Sequence, residues 1–440
     1  MKAKFGIALL CLTQVAQAQL LPGVRLPQLP VLQPQINQGL SATQSLDAST
    51  LERARALQVQ QLIRQHRTVI EADPHGAAIV RGELLLASPP PDALQSALSD
   101  GFALVREQFL DGLDLRIVVL RSPPRVSTAR ALERLRRLQI PAAADFNHLY
   151  LRAGSTLAWQ RDAQDRAPAP SVEQSARVSA ESAPGVLGLV DSGVDASHPV
   201  FKDVPMQHHG CAGTSVPDPH GTAVASLMVG RGVEFHGAAA GATLYAADVY
   251  CGQATGGSVD LIADALAWLV RERVPVINLS LVGPANAVLE AVVRSAVSRG
   301  HLLVAAVGND GPAAPALYPA SYPGVVGVTA VDAHGHALVE AARGPQVSFA
   351  APGADMSAAC SPEGYCTVRG TSFAAPLVAG LLASELREPD VDGARAAITA
   401  LARNARHTGS AQRDLVLGYG LVGSELAPTV QLANAHASQK

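Results

Sequence analysis

Apolar positions change rhythm twice along the chain. Residues 19–45 mix Gln, Leu and Pro without a sustained period, and Pro22, Pro27, Pro30 and Pro34 exclude a helix there. Ser49-Thr50-Leu51-Glu52 then has capping-box spacing, and Leu51, Ala54, Leu57 and Leu62 predict a surface helix running to about Arg67. From residue 80 to 151 short apolar runs alternate with helical periodicity. Strands are expected at Leu84–Leu86, Ala103–Phe109, Leu115–Leu120 and Phe146–Leu151, with helices at Asp92–Leu98 and Ala131–Leu138. That order is βαββαβ, a small α+β ferredoxin-like domain. Residues 152–184, rich in Ala, Ser, Pro, Gln and Arg, carry no apolar period and read as an exposed linker of the kind proteases cut.

After Gly185 the strands become continuously apolar: Val186–Val190, Leu244–Val249, Val274–Leu281, Leu302–Val307 and Val325–Val331. Helical stretches at Thr222–Met228, Val259–Arg271 and Ala287–Arg299 separate them. Strands without a polar face, alternating with helices, predict an α/β fold: a three-layer parallel sheet with helices on both faces. In such sheets the working residues gather at the carboxyl ends of the strands. A polar tail, 427–440, closes the chain.

Composition narrows the setting. Thirty-four Lys and Arg against 37 Asp and Glu leave a net charge of −3, and only 16% of residues are charged, so nothing attracts nucleic acid or an anionic bilayer globally. Met1–Lys4 carry two lysines, Phe5–Leu12 is apolar, and Ala16-Gln17-Ala18 fits a signal-peptidase site. Residues 1–18 therefore read as an export signal, which places the protein in the periplasm or outside the cell; the apolar run is too short for a membrane span. Beyond Cys11 four cysteines remain, Cys211, Cys251, Cys360 and Cys366. An even number in an exported chain favours two disulfides. Of the three possible connectivities we expect Cys211 with Cys251 and Cys360 with Cys366.

Three short motifs fall at strand and helix ends. Asp191 ends the first apolar strand in Val190-Asp191-Ser192-Gly193, His220 opens a helix in His220-Gly221-Thr222, and Ser372 opens another in Gly370-Thr371-Ser372-Phe373-Ala374-Ala375-Pro376. Singly, each is a common cap or turn residue. Together they supply what a serine hydroxyl needs to attack a carbonyl: an imidazole to take its proton, and a carboxylate to orient that imidazole and stabilise its cation. With these motifs in this order, residues 185 to about 422 resemble the subtilisin-like serine peptidases, or subtilases.

The resemblance implies that Asp191, His220 and Ser372 are catalytic, with a rate that falls as His220 takes up a proton. It also implies that Asn309, in Val304-Ala305-Ala306-Val307-Gly308-Asn309, shares the oxyanion hole with the Ser372 N–H. An extended polypeptide substrate is expected between two backbone edges, Gly256-Gly257-Ser258 and Ser280-Leu281-Val282-Gly283. Val282 and Leu317 stand where the family commonly has glycine, so a small residue is expected before the cleaved bond. The region 185–426 becomes the catalytic domain. Residues 80–151, preceded by a leader and helix at 19–79, become a propeptide that acts as an intramolecular inhibitor, and residues 152–184 hold the processing site.

No cofactor is expected. The family's calcium loop is here Arg231-Gly232-Val233-Glu234-Phe235-His236-Gly237, whose one carboxylate is too few ligands for tight calcium. His208, His209 and His236 lack zinc-ligand spacing and are expected to be solvent-exposed. Two other readings compete: a catalytically silent peptide-binding protein processed by another protease, and a nucleotide-binding α/β domain. The second lacks a glycine-rich phosphate loop after its first strand.

Overall fold

The computed structural model describes residues 48–153, 155–156, 185–231, 236–361, 364–407 and 413–426. The expected signal, most of the leader, residues 157–184 and the tail lie outside them. Helix α1 (Ala48–Gln65) leads into strand β1 (Ile70–Ala72), followed by β2 (Ala78–Ala87), α2 (Pro91–Ser99), β3 (Ala103–Leu110), β4 (Leu115–Arg121), α3 (Thr128–Arg137) and β5 (Ala143–His148). The five strands form one sheet in the order β1-β2-β4-β3, with β5 also pairing β2. Pairing of the β2, β4 and β5 strands is antiparallel. This is the βαββαβ arrangement read from the apolar pattern, extended at its start: β1 and the first residues of β2 come from the segment assigned to the leader.

Alternation along each strand divides its side chains between two faces. Leu84, Leu86, Val118 and Leu120 pack with Leu94 and Ala97 of α2 and Leu132 and Leu135 of α3. Leu85, Ala87, Ile117 and Val119 point the other way and join the core of the second domain. Helix α1 is less exposed than expected, because Val59, Leu62 and Ile63 cover Ile70, Ala78 and Leu149.

Past two short strands, β6 (Leu151–Arg152) and β7 (Ser155–Thr156), the second domain runs β8 (Val186–Asp191), β9 (Met206–Gly210), α4 (Pro219–Val229), β10 (Thr243–Asp248), α5 (Val259–Arg271), β11 (Val276–Leu279), β12 (Leu281–Val282), α6 (Ala287–Ser298) and β13 (Leu302–Ala306). It continues through β14 (Val326–Val331), β15 (Val347–Pro352), β16 (Met356–Ala359), β17 (Tyr365–Arg369), α7 (Thr371–Glu385) and α8 (Val391–Asn404). Seven strands make a parallel sheet in the order β15-β14-β13-β11-β8-β10-β9. Helices α4 and α7 cover one face with Leu187, Leu189 and Val304, while α5 and α6 cover the other with Val190, Ile277 and Leu303. The expected α/β three-layer architecture is what the chain forms.

The N-terminal domain sits on α5 and α6 and meets the N-terminus of each. Asp145 accepts from the N–H of Ala287, the first residue of α6, at 2.8 Å. At the start of α5, Arg106 bridges Asp260 (2.5 Å) and Glu83 (2.9 Å), and the Asn147 amide donates to both carboxylates. Polar groups at helix N-termini have no partners inside the helix, so a docked domain that supplies or satisfies them holds both helices in place.

Contact at the last turn of α5 is close enough to exclude a methyl group. A Cβ on Gly112, in the β3–β4 turn, would stand 2.6 Å from the Arg271 nitrogen and 2.7 Å from the Ala267 oxygen. Gly112→Ala should therefore weaken docking by about 1–3 kcal/mol through overpacking. Urea unfolding of the intact chain should show a lower midpoint, and an unchanged midpoint would show that this contact is loose.

Candidate active site

The parallel sheet brings Asp191 to the carboxyl end of β8, beside Asp248 at the matching position of β10. His220 lies in the first turn of α4. Asp218 caps that helix, its Oδ1 accepting from the His220 N–H at 2.9 Å. A Cβ at Gly221 would clash with the Ser192 carbonyl, so glycine is what lets α4 approach β8 this closely. The approach sets His220 Nδ1 2.8 Å from Asp191 Oδ1. The Ser192 N–H, at 2.6 Å, holds the same carboxylate oxygen. Both residues are buried.

Ser372 opens α7, buried between Ser280 and Phe373. Its Oγ donates to the Ser280 carbonyl at 3.3 Å, and His220 Nε2 is buried with no hydrogen-bond partner among the described residues. Asn309 follows β13. Its Oδ1 accepts from the Thr371 N–H at 3.0 Å, which turns its Nδ2 outward beside the Ser372 N–H. Asp191 thus pairs with His220 and Asn309 with the start of α7, where the Phe373 ring, next to Ser372, lies 5.4 Å from the His220 ring.

An extended segment of the chain itself fills the cleft beside them. Residues 149–153 run between the two expected edges. The Tyr150 N–H donates to the Gly257 carbonyl at 2.8 Å, and Leu149 bridges Ser258. On the other side Leu151 and Arg152 pair antiparallel with Val282 and Leu281, and the Ala153 N–H donates to the Ser280 carbonyl at 3.2 Å. The Ala153 carbonyl oxygen receives Asn309 Nδ2 at 2.7 Å and the Ser372 N–H at 3.0 Å. Beyond Ala153, Ser155 and Thr156 pair with Arg369 and Val368 of β17. Residues 151–153, read from sequence as the end of a strand and the start of an exposed linker, are instead laid along the cleft, and residues 155–156 of that linker are paired with β17.

The remaining expected site residues divide. Val282 is buried in the same apolar cluster as Ala153, and Leu317 packs against that cluster, filling the space a Cβ on Gly308 would need. Gly283 makes room for Tyr150, whose ring would lie 2.7–2.8 Å from any Cβ there. At Gly256 a Cβ would meet the Tyr250 backbone, 2.4 Å from its Cα, so glycine lets the edge pack there. The Ser258 hydroxyl faces Asp260 at 2.6 Å rather than the cleft.

Sequence reasoning missed Tyr150, Tyr250, Asp218 and Arg152. Tyr150 is fully buried and donates its hydroxyl to the Pro284 carbonyl at 2.5 Å; burial pushes its pKa up. The Tyr250 hydroxyl donates to the Tyr150 carbonyl at 2.9 Å. Asp218 stood two residues before the His220 motif, the nearest thing to a signal.

Cys211 bonds Cys251, and Cys360 bonds Cys366, the pairing expected. The histidine expectation needs correction at one position. His208 and His236 are exposed, but His209 is half-buried, stacked on Trp268 at 4.8 Å with its Nε2 2.8 Å from Asp264. An aromatic face and a carboxylate partner offset the loss of water there. Residues 232–235 of the expected calcium loop lie outside the described residues.

With this geometry in view, comparison with known proteins is direct. Residues 185–420, more than half of the chain, match the Subtilase family. The chain belongs to that family. It is 32% identical over 210 residues to subtilisin E of Bacillus subtilis (strain 168), covering 45% of this chain and 54% of that protein. It is 32% identical over 210 residues to the subtilisin of Bacillus pumilus, of which it covers 74%. The match to the minor extracellular protease Epr of Bacillus subtilis covers 32% of that protein, so the chain spans about half or less of the length of several curated relatives. Fervidolysin from Fervidobacterium pennivorans shares the fold, with a TM-score of 0.63 at 18% identity over 79% of this chain and 61% of that one. Among the described residues no helix is long and apolar enough to cross a membrane.

Three carboxylates crowd this subtilase site. Burial raises the pKa of Asp248, and the charges of Asp191 and Asp218 add to the rise, against two backbone N–H donors from Tyr250 and Cys251. Its Oδ2 is buried without a partner among the described residues. A raised folded-state pKa means the folded chain binds more protons than the unfolded one above the ordinary carboxylate range, so stability falls as pH rises through that window. Asp248→Asn keeps an oxygen for the two N–H groups and removes the charge. Urea titrations at several pH values should show the variant gaining on the parent as pH climbs above about 4, and a constant difference would show that Asp248 does not titrate in this way.

Proposed function

We propose that this subtilase is a serine endopeptidase made as a precursor that cuts its own Ala153–Gly154 bond. The observation that carries the reading is the Ala153 carbonyl oxygen, seated between Asn309 Nδ2 and the Ser372 N–H at 2.7 and 3.0 Å. Those are the distances at which donors stabilise a developing oxyanion.

The chemistry follows from the residues in place. Rotation about the Ser372 Cα–Cβ bond moves Oγ from the Ser280 carbonyl toward His220 Nε2, which accepts the hydroxyl proton as Oγ bonds to the Ala153 carbonyl carbon. Negative charge grows on the oxygen already held by two donors, and Asp191 stabilises the imidazolium through Nδ1. Collapse breaks the C–N bond, His220 hands its proton to the leaving amine of Gly154, and Ala153 remains as an ester on Ser372. Water then attacks by the same route and leaves the Ala153 carboxylate. The N-terminal domain, tied to the cleft by residues 149–153, stays as an inhibitor until it is removed.

Val282 and Leu317 beside Ala153 support a preference for a small residue before the cleaved bond. Two disulfide pairs suit an oxidising compartment, in keeping with export to the periplasm or medium; the export signal itself lies outside the described residues.

Ser372→Ala should accumulate as uncut chain, whereas the parent should yield a fragment whose N-terminus is Gly154, read by intact-protein mass spectrometry. Processing of purified Ser372→Ala at that bond would overturn self-cleavage, and absence of fluorophosphonate labelling in the parent would favour the catalytically silent reading. Asn309→Ala should lower turnover by about a hundredfold to a thousandfold, the magnitude measured for this kind of donor in subtilisin. Among processed-enzyme substrates, Ala before the cleaved bond should be cut faster than Phe; the reverse order would sink the small-pocket reading.

A further inference from the structure

Arg152 precedes Ala153 in the segment held in the cleft. Its backbone pairs with Leu281, and alternation along the strand sends its side chain away from the side that Ala153 faces. There Nη2 donates to Asp218 Oδ2 at 2.6 Å, and the guanidinium carbon lies 4.7 Å from the centre of the Tyr250 ring. A cation is thus held between a carboxylate and an aromatic face, two contacts that each favour positive charge.

Asp218 divides its work between two oxygens. Oδ1 belongs to the scaffold, accepting from the His220 N–H and facing the Ser192 hydroxyl, both at 2.9 Å. Oδ2 is left for the cleft. The pair is partly withdrawn from water, with side-chain exposures of 35% for Arg152 and 19% for Asp218, so it is screened less than an ion pair on the open surface. Arg152 Nε is buried without a partner among the described residues, so the contact seen there is one N–H to one oxygen plus the ring rather than a two-pronged fork. A lysine ammonium can reproduce the charge contact but not the planar stacking.

Resting on the peptidase reading above, we propose that Asp218 and Tyr250 form a cation-selecting subsite. The processed enzyme then cuts polypeptides that carry Arg, and in second place Lys, one residue before the small residue at the cleaved bond. Acidic side chains at that position face the Asp218 carboxylate and are rejected.

The test uses the full chain, expressed and purified after processing, and quenched peptides of the form Tyr-Leu-Xaa-Ala-Gly-Ser. Xaa is Arg, Lys, citrulline, Gln or Glu. Citrulline keeps the shape of Arg and removes its charge, so the central comparison needs no enzyme variant. For a charge-assisted hydrogen bond, kcat/KM for Arg should exceed that for citrulline by on the order of tenfold to a hundredfold, largely through KM. Asp218→Asn, which keeps an oxygen for capping α4, should bring the two peptides to within about twofold of each other, whatever it does to the absolute rate. Equal rates for Arg and citrulline in the parent would overturn the subsite and leave the peptidase reading standing. If no peptide is cut and Ser372 takes no fluorophosphonate, the peptidase reading falls and the substrate preference falls with it.

Discussion

Two N–H donors meet on one carbonyl oxygen, and the arrangement of the cleft depends on how they are made to meet. Helix α7 begins at Thr371, so its first N–H groups have no partner inside the helix. One of them, on Thr371, is taken by Asn309 Oδ1. That bond fixes which way the Asn309 amide faces and leaves its Nδ2 parallel to the next free donor, on Ser372. Buried donors without acceptors are costly, and the Ala153 oxygen satisfies both at once. The register of the whole segment follows. A slip of one residue would turn every side chain to the opposite wall, sending Arg152 toward Val282 and Ala153 toward Asp218. Apolar packing and charge therefore reinforce the register that the two donors select.

The N-terminal domain bears on the fold as well as on the cleft. A sheet of parallel strands assembles from contacts distant in sequence, which makes its formation slow, and its strands are joined by crossover helices that must pack against it. Helix α5 connects β10 to β11, and α6 leads into β13. These are the two helices whose N-termini meet Arg106, Asn147 and Asp145 and whose outer faces receive Leu85, Ile117 and Val119. The surface that positions the segment in the cleft is thus continuous with the surface that orders the crossovers.

Much of this was legible in the residues. Continuous apolar runs gave the central strands, because a strand covered on both faces has no polar side to confuse the pattern. The βαββαβ order was visible for a related reason: β2 and β4 meet a different apolar layer on each face, so they too are strongly apolar. Strand β15 was not read. Val347–Pro352 mixes Ala, Ser and Pro, and its buried character comes from its neighbours β14 and the turn at Leu421 rather than from its own hydrophobicity. Asp191, His220, Asn309 and Ser372 were found because each is embedded in a local motif. Arg152, Asp218, Tyr150 and Tyr250 belong to no such motif. Their relation is a pairing of positions up to about a hundred residues apart, created when one strand is laid beside another. His209 was misread for the same reason, since Trp268 and Asp264 reach it from α5.

On the proposal that this segment is first substrate and then inhibitor, its contacts bear on why a cut would not free the cleft at once. Hydrolysis turns the Ala153 carbonyl into a carboxylate, and a carboxylate is the better guest: it carries a full negative charge at the N-terminus of α7, where two donors and the helix dipole favour an anion. On the other side of the bond, among the described residues, the short pairing of Ser155 and Thr156 with β17 is what opposes separation, fewer contacts than hold the new acid. Meanwhile Tyr150 keeps its buried hydroxyl bond, Arg152 keeps Asp218, and the domain behind them keeps its grip on α5 and α6. These contacts share one rigid body, so each raises the effective concentration of the others and dissociation must break them together. On the same proposal, clearing the cleft would depend on destroying the N-terminal domain by proteolysis, and the stability of that small domain, rather than the chemistry at Ser372, would set how long the cut enzyme stays silent.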